Sequence, residues 1–174
     1  MHMTDQVERV YQGRMIQLGI ETITMPNGVI VELEIVRHPG GAAVVALDER
    51  EQVCLLRQYR HAAGGWLWEL PAGKLEPGEP AQTTAARELA EEAGLRASRW
   101  DSLGKLIATP GFCDEIIHLF LARNLTETTA QPETHELFEI HRIPFAAALE
   151  QVYNGTIIDA KTMLGLTLAA KTIS

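Results

Sequence analysis

The segment between Pro80 and Gly94 constrains the fold most, because its small apolar residues and its carboxylates fall on different sides of a helix. At about 3.6 residues per turn, Glu88, Glu91 and Glu92 lie within an arc of about 100°. The opposite side carries Ala86, Leu89, Ala90 and Ala93. Pro at the first helical position and Gly after the last one are typical helix limits. The pattern predicts a helix that packs closely on a sheet and presents three carboxylates together.

The three carboxylates allow two interpretations. A cluster of acidic residues is usually a solvated surface, but such a surface often carries Lys or Arg four residues away to relieve repulsion. Here Arg87 is the only basic residue between Leu75 and Gly94. A bound cation would relieve both the repulsion between Glu88 and Glu92 and their unfavourable position near the C-terminal end of the helix dipole. Carboxylates without nearby Cys or His favour Mg²⁺ or Mn²⁺ over Zn²⁺.

The remaining pattern predicts an α/β fold with a mixed sheet between helices. Segments 15–25 and 29–36 are strand-like and flank the turn signal Pro26-Asn27-Gly28. Strands are also predicted at 42–47 and 52–59, joined as a hairpin, and at 66–70, 103–108, 116–122 and 138–143, with helices at 144–152 and 160–170. This order lacks the regular alternation of a doubly wound parallel sheet. We expect a main domain at 39–174 and a strand extension at 1–38 that is too small to be stable alone.

Composition and charge argue against several classes of protein. A net charge of −8 disfavours general nucleic-acid binding, which needs a positive surface. No apolar run is long enough to span a membrane. The two cysteines, Cys54 and Cys113, are not clustered, so they indicate neither a disulfide framework nor a zinc site. We therefore expect a cytoplasmic protein.

Residues 73–95 also follow a specific spacing. They fill every fixed position of G-x5-E-x7-R-E-U-x-E-E-x-G-U, where U is a bulky aliphatic residue, at Gly73, Glu79, Arg87-Glu88-Leu89, Glu91-Glu92 and Gly94-Leu95. The chain therefore resembles the Nudix hydrolase family. The resemblance implies a Nudix fold, with a mixed β-sheet sandwiched between helices, and metal-dependent cleavage of a diphosphate linkage.

The resemblance assigns the metal ligands residue by residue. It implies that Glu88 and Glu92 are the main ligands of Mg²⁺, for which Mn²⁺ can substitute, and that Glu91 helps directly or through water. It adds the carbonyl oxygen of Ala72 as a further ligand. All four ligands are oxygen atoms, which suit a hard divalent cation.

Other positions of the motif are expected to hold the ligands in place. The resemblance implies that Arg87 pairs with Glu79 and holds the loop against the helix, which would fix the carboxylates beforehand. Gly73 and Gly78 are expected to allow tight turns in this loop. Gly94 is expected to end the helix.

The similarity extends beyond the motif to nearly the whole chain. Segments 57–60, 68–73, 110–115 and 158–162 resemble the branch of the family that hydrolyses ADP-ribose and other nucleoside diphosphate sugars. An N-terminal antiparallel strand extension that helps to build a homodimer is typical of this branch. A second subunit would give residues 1–38 a surface to pack against.

The same resemblance suggests residues that contact the substrate. Arg57 and Arg60 are expected to bind it, Arg57 through a phosphate or the base, although a solvated arginine at a strand end is the alternative. Glu115 is expected either to bind a ribose hydroxyl or to be an ordinary loop residue. Trp66 and Trp68 could stack on a base, but a buried core or a dimer interface is favoured for both.

A hydrolase also needs a base for its attacking water. In this branch the base tends to come from an acidic loop before a late strand, which corresponds to residues 131–136. Glu136 is the first candidate and Glu133 the second, whereas Glu139 falls on the predicted strand. Arg87 and Glu91 are expected to assist in the catalytic centre. The alternative for each acid of this loop is that it serves only to keep the protein soluble, so the identity of the base stays open.

The sequence thus predicts hydrolysis of ADP-ribose, or of a related nucleoside diphosphate sugar, to a nucleoside monophosphate and a sugar phosphate. One alternative is a nucleotide-binding module that has the Nudix fold and does not hydrolyse. Another is a Nudix hydrolase for a different diphosphate, such as GDP-mannose or a dinucleotide. An isomerase on the same fold is a weaker alternative, because it would need acid-base groups that the sequence does not indicate.

Overall fold

The computed structural model describes residues 4–131 and 136–173, and the chain divides into two compact units. The first unit contains the residues up to Gly40 together with Ile107–Ile116. The second contains Gly41–Leu106 and the residues from Ile117 onward. The N-terminal strands therefore cluster with one later segment of the chain.

The first unit is built on an antiparallel sheet in the order β1-β2-β3, formed by β1 (Thr4–Gln12), β2 (Gln17–Thr24) and β3 (Ile30–Arg37). The turn between β2 and β3 is the one that the sequence predicts. Gly28 has a φ of 84°, and the Met25 N–H donates to the Val29 carbonyl at 2.8 Å. The continuous register between β2 and β3 confirms the predicted pairing.

The second unit contains two sheets and three α-helices among its described residues. Its strands are β4 (Gly41–Ala46), β5 (Gln52–Arg60), β6 (Gly65–Glu69), β7 (Ala72–Lys74), β8 (Leu95–Ile107), β9 (Ile116–Glu127) and β10 (Phe138–Pro144). Its helices are α1 (Ala81–Ala93), α2 (Phe145–Tyr153) and α3 (Ala160–Ile173). One sheet has the antiparallel order β10-β5-β6, and the other has the order β7-β4-β9-β8, in which β4 and β9 are parallel.

Strand β4 lies at the centre of the second unit, because all six of its residues are buried. Its Ala43 and Val45 belong to a core cluster that also contains Leu166 of α3. The alternate residues of β4 belong to a second cluster, which includes Leu89 of α1. The mixed sheet therefore lies between α1 and the packed pair of α2 and α3, which confirms the predicted arrangement.

The predicted hairpin of β4 and β5 is wrong. The two strands belong to different sheets and meet at a bridge between Leu47 and Val53, where the Asp48 N–H donates to the Gln52 carbonyl at 3.0 Å. Both edges of β4 are already paired, with β7 and with β9. Strand β5 consequently pairs along its length with β6 and β10 instead.

Several element limits also differ from the predictions. Helix α1 begins at Ala81, and Pro80, with ψ 138°, is its N-cap rather than its first helical residue. Strand β8 begins at Leu95, directly after α1, instead of near residue 103. Residues 72–74 form a short strand where the sequence predicts the end of a strand and a loop. No helix in the described part of the chain is both long and apolar enough to cross a lipid bilayer.

Candidate metal and active site

Helix α1 divides its three clustered carboxylates between two environments. Glu88 is 8% exposed and Glu92 is 1% exposed, and both lie on the buried side of the helix with Leu89. The side chain of Glu91 is 42% exposed. Two acids one helical turn apart are therefore nearly withdrawn from water, while the third remains at the surface.

Burial makes the ionised forms of these two acids unfavourable. Burial raises the pKa of Glu92 to about 8; the N–H of Ala72 opposes this shift, and the charges of Glu88 and Glu136 add to it. Burial also raises the pKa of Glu88, against the charge and the hydrogen bond of Arg87. A positive charge placed between Glu88 and Glu92 would favour ionisation of both.

Strand β7 passes directly over these two carboxylates. The Ala72 N–H donates to Glu92 Oε2 at 2.8 Å. The N–H and C=O of one residue in an extended strand point to the same side, so the Ala72 carbonyl also faces the Glu92 side of β7. A Cβ at Gly73 would overlap the carboxylate of Glu88. Gly73 is thus required for close approach of β7 to α1, whereas the expected turn-forming conformation is found at Gly78, with φ 78°.

Arg87 connects the loop to the carboxylates of the helix. Its Nη2 lies 3.2 Å from Glu79 Oε2, which is the ion pair that the sequence predicts. Its Nη1 donates to Glu88 Oε1 at 2.7 Å and to Glu91 Oε2 at 3.1 Å. Glu79 is held further by the hydroxyl of Thr84 at 2.7 Å. One guanidinium therefore fixes three acids, of which the sequence predicts only Glu79 as its partner.

The donor set fits a hard divalent cation. Glu88, Glu92 and the Ala72 carbonyl supply oxygen atoms, and Glu91 lies on the same helix. Within residues 4–131 and 136–173, no three His, Cys, Asp or Glu side chains converge on a single point. Arg87 holds Glu88 and Glu91, so a cation would compete with this guanidinium for the Glu88 carboxylate. The observation that favours a divalent cation at this site is the presence of two buried carboxylates, Glu88 and Glu92.

Arg57 lies on the exposed side of β5 and is not in contact with the buried pair of Glu88 and Glu92 in any bond described above. Its side chain is 48% exposed, with Nη1 3.8 Å from Glu139 Oε2. Its guanidinium carbon lies 5.6 Å from the ring centroid of Trp66, which in turn makes an edge contact with Tyr59. Trp68 packs partly against the core and against His141. Trp66 is thus an exposed residue in the isolated chain, and its position beside Arg57 forms a cationic and aromatic surface.

The other predicted substrate residues lie in different surroundings. Arg60 donates from Nε and Nη2 to the two carboxylate oxygens of Glu69, at 2.8 and 2.9 Å. Glu115 belongs to the first unit, where its Oε1 lies 3.3 Å from His38 Nδ1. The roles assigned to Arg60 and Glu115 remain predictions.

Of the two predicted bases, Glu136 is described and Glu133 lies outside the described residues. Glu136 is half-buried, and its charge contributes to the raised pKa of both Glu88 and Glu92. The structure therefore brings Glu136 within electrostatic reach of the carboxylate pair. Its role as a base remains a prediction.

Sequence reasoning missed a second buried charge cluster. Glu69 is 1% exposed and accepts a hydrogen bond from Lys161 Nζ at 2.6 Å in addition to those from Arg60. An acid between two apolar residues at the end of a strand, as in Trp68-Glu69-Leu70, was a signal that a cationic partner is needed. The sequence could not identify Lys161 as this partner, because it lies far from Glu69 along the chain.

Comparison with known proteins agrees with this geometry. The family model described as the NUDIX domain matches residues 37–164. An ADP-ribose pyrophosphatase of Mycobacterium tuberculosis is 40% identical over 162 residues, which cover 91% of this chain and 78% of that protein. A methanol dehydrogenase activator of Bacillus methanolicus is 36% identical over 165 residues, with coverage of 94% and 89%. A crystal structure of an ADP compounds hydrolase has the same fold, with a TM-score of 0.84 at 22% identity over 99% of this chain and 94% of that one.

Proposed function

The chain belongs to the NUDIX domain family, and from this premise we propose that it is a metal-dependent pyrophosphohydrolase for ADP-ribose or a related nucleoside diphosphate sugar. The observation that carries the proposal is the buried pair of Glu88 and Glu92 beneath β7. A pair of carboxylates that are nearly withdrawn from water, beside a backbone carbonyl that faces the same side of β7, is suited to a cation that also binds phosphate oxygens.

The proposed reaction is attack of water on one phosphorus of the diphosphate. The new P–O bond forms as the bridging P–O bond breaks, and the bridging oxygen leaves on the other phosphate. ADP-ribose gives AMP and ribose 5-phosphate whichever phosphorus is attacked. The net charge of −8 is compatible with this anionic substrate if divalent cations lie between the carboxylates and the phosphates.

Each residue of the site has a distinct part in this proposal. Glu88, Glu92 and the Ala72 carbonyl would hold Mg²⁺, or Mn²⁺ in its place, and Glu91 would assist. Bound Mg²⁺ would neutralise charge on the diphosphate and make a water molecule more acidic. Arg87 orients Glu88 and Glu91 through the bonds described above. This prior orientation supports catalysis because the carboxylates need not rearrange during the reaction.

Glu136 is the proposed base for the attacking water, with Glu133 as the second candidate. Its half-buried side chain and its electrostatic influence on both Glu88 and Glu92 support this role. A base must lie close to the water that it deprotonates, and that water would be bound beside the carboxylate pair.

Arg57 is the proposed contact for a substrate phosphate or base. The neighbouring ring of Trp66 supports this assignment, since an exposed aromatic ring beside a cation can stack on a nucleobase. Arg60 and Glu115 complete the proposed substrate set. Glu115 would bind a ribose hydroxyl, and Arg60 would act from its position beside Glu69.

The proposal includes a cytoplasmic homodimer whose dimerisation element is the strand extension at residues 1–38. Large apolar side chains are exposed on the first unit, among them Val7, Val10, Tyr11 and Ile30. Exposed apolar residues grouped on one sheet commonly mark a protein interface. Two free cysteines, Cys54 and Cys113, fit a reducing compartment.

A substrate screen tests the proposed function. The purified protein is incubated with Mg²⁺ and ADP-ribose, GDP-mannose, UDP-glucose, NADH, diadenosine compounds or nucleoside triphosphates, and the nucleotide products are quantified. We expect ADP-ribose to be preferred and to give AMP and ribose 5-phosphate in equal amounts. Binding heat from ADP-ribose without later product would favour the binding module, and no preference for diphosphate sugars over triphosphates would contradict the assigned branch.

A further inference from the structure

Strand β7 is anchored on its N-terminal side by a group of charged and hydroxyl side chains built around the buried residues Glu69 and Thr162. This group, called the Glu69 cluster, consists of Arg60, Glu69, Asp159, Lys161 and Thr162. Lys161 Nζ lies 2.6 Å from Glu69 Oε2 and 3.0 Å from Asp159 Oδ1. With Arg60 on the other side of Glu69, two positive and two negative charges balance. This balance allows Glu69 to remain ionised away from water.

Thr162 joins this cluster to the backbone that leads into β7. Its hydroxyl donates to Asp159 Oδ2 at 2.6 Å and accepts the Leu70 N–H at 2.9 Å. Its own N–H also donates to Asp159 Oδ2, at 3.0 Å. Because Thr162 is completely buried and its proton is used by Asp159, a lone pair of the hydroxyl is directed at Leu70.

The residues after Leu70 are fixed by two further elements. The Pro71 carbonyl accepts the Val44 N–H at 2.9 Å, and the Ala72 N–H donates to Glu92 at 2.8 Å. The backbone from Leu70 to Ala72 is thus bonded in succession to α3, to β4 and to α1. Displacing the first of these bonds would change the path of the chain two residues before the proposed ligand.

We infer that Thr162 is a positioning residue of the metal site: its hydroxyl sets the path of residues 70–72 and thereby the place of the Ala72 carbonyl relative to Glu92. This inference rests on the proposed function for the existence of that metal site. Groups that orient ligands without touching the metal commonly control its affinity, since a ligand that is held in place loses less freedom on binding.

The test compares three substitutions on α3. Thr162→Val removes the hydroxyl with little change of volume, and Thr162→Ser retains the hydroxyl. Thr167→Val is the matched control, because the hydroxyl of Thr167 is exposed and bonds to the Met163 carbonyl of its own helix at 2.7 Å. If Thr162→Val fails to fold, Thr162→Ala removes the same hydroxyl without placing a methyl group against the Leu70 N–H.

Two readouts are independent of catalysis. Amide hydrogen exchange of Leu70 and Ala72 is measured in metal-free protein, and Mn²⁺ affinity is measured by calorimetry. We expect Thr162→Val to speed exchange at both amides, to weaken Mn²⁺ binding by about tenfold, and to lower kcat more than it changes KM. Thr162→Ser and Thr167→Val should match the wild type in all three measurements.

The outcomes separate this inference from the proposed function. If the wild type binds Mn²⁺ and releases AMP while Thr162→Val keeps wild-type Mn²⁺ affinity, the positioning role is overturned alone. Equal losses in Thr162→Val and Thr162→Ser would overturn it too, because the hydroxyl would then be irrelevant. A wild-type protein that neither binds Mn²⁺ nor releases AMP would overturn the proposed function, and this inference with it.

Discussion

The carboxylate of Glu88 occupies the space in which a side chain at Gly73 would begin. This relationship is a steric explanation for why the first position of the motif is glycine. Gly73 lies in β7 and needs no special backbone conformation there, but it must leave room for an acid that reaches it from α1. The spacing between Gly73 and Glu88 along the chain therefore corresponds to one direct contact between strand and helix.

Gly73→Ala is expected to displace Glu88 and to lower kcat/KM by about a hundredfold, the effect of a displacement of about 1 Å at a catalytic centre. The control is Gly65→Ala on β6, where an added Cβ meets nothing within 4 Å. Steady-state kinetics with Mg²⁺ and thermal unfolding of both variants provide the measurement. Full activity in Gly73→Ala would contradict the close contact.

Glu92→Gln is expected to lower kcat by about a hundredfold, the scale for losing one electrostatic group of a catalytic site. The amide oxygen of Gln can still accept the Ala72 N–H, so β7 should keep its place. Glu49→Gln, at an exposed position of the turn between β4 and β5, serves as the control. Near-normal turnover of Glu92→Gln at saturating Mg²⁺ would exclude Glu92 as a metal ligand.

Glu69→Gln is expected to lower the free energy of unfolding at pH 7 by about 2 kcal/mol, since it leaves the partly buried Lys161 and the more exposed Arg60 without their shared carboxylate. Burial alone would raise the pKa of Glu69, but the hydrogen bonds of Arg60 and the charge of Lys161 outweigh it and lower that pKa. The carboxylate therefore stabilises the fold above the unfolded-state pKa of about 4.3, and this stabilisation is lost as the pH falls through the lower folded-state pKa.

Urea unfolding at a series of pH values measures this effect. The difference between the wild type and Glu69→Gln should be full at pH 7 and should shrink below a pH of about 4.3. Glu127→Gln is the control, because Glu127 pairs with Arg142 at 3.1 Å but its side chain is 79% exposed. An exposed pair should contribute about 0.5 kcal/mol or less. A pH-independent difference for Glu69→Gln would contradict the charged cluster.

Ile30→Asp is expected to weaken the proposed homodimer. Ile30 is 68% exposed on β3, and a charge at a buried interface would have no partner. Tyr153→Asp, at the 70% exposed end of α2, is the matched control outside the first unit. Sedimentation velocity should show a dimer for the wild type and Tyr153→Asp, and a monomer for Ile30→Asp. A monomeric wild type would refute the dimer outright.

Cys54 should resist alkylation in the folded protein. Burial raises the pKa of its thiol to about 12, against the charge of Arg142, so almost no thiolate exists at pH 8.5. Cys113 is partly exposed. Mass spectrometry after iodoacetamide treatment should find one modified cysteine in native protein and two in denaturant. Rapid native labelling of Cys54 would indicate that its surroundings open.

The sequence predicted best what short-range patterns determine. The limits of α1 were correct to within one residue, because helical periodicity and Gly94 act locally. The pairing of β4 was wrong, because its apolar run and the following turn look the same whether β5 or a distant strand becomes its neighbour. The competition from β7 and β9 for its edges is a property of the whole fold.

Prediction of the candidate site from the sequence has the same limit. The motif singled out Glu88 and Glu92 as the proposed metal ligands, but it could not show that β7 covers them while the side chain of Glu91 remains exposed. The Glu69 cluster could not be predicted from the sequence for a similar reason. Arg60, Glu69 and Lys161 meet because three elements pack together, and nothing in their spacing along the chain indicates that contact.

The bond between Leu70 and Thr162 also orders events during biosynthesis. A ribosome completes the motif at residues 73–95 long before it adds α3. Until Lys161 and Thr162 emerge, the Glu69 carboxylate has Arg60 but lacks Lys161, and the Leu70 N–H lacks the hydroxyl that accepts it in the finished fold. A nascent chain that stops before Asp159 would carry the whole motif, with the partners of β7 in β4 and at Glu92 already synthesised, so the contact of Leu70 with the last helix is the part of this arrangement that translation supplies last.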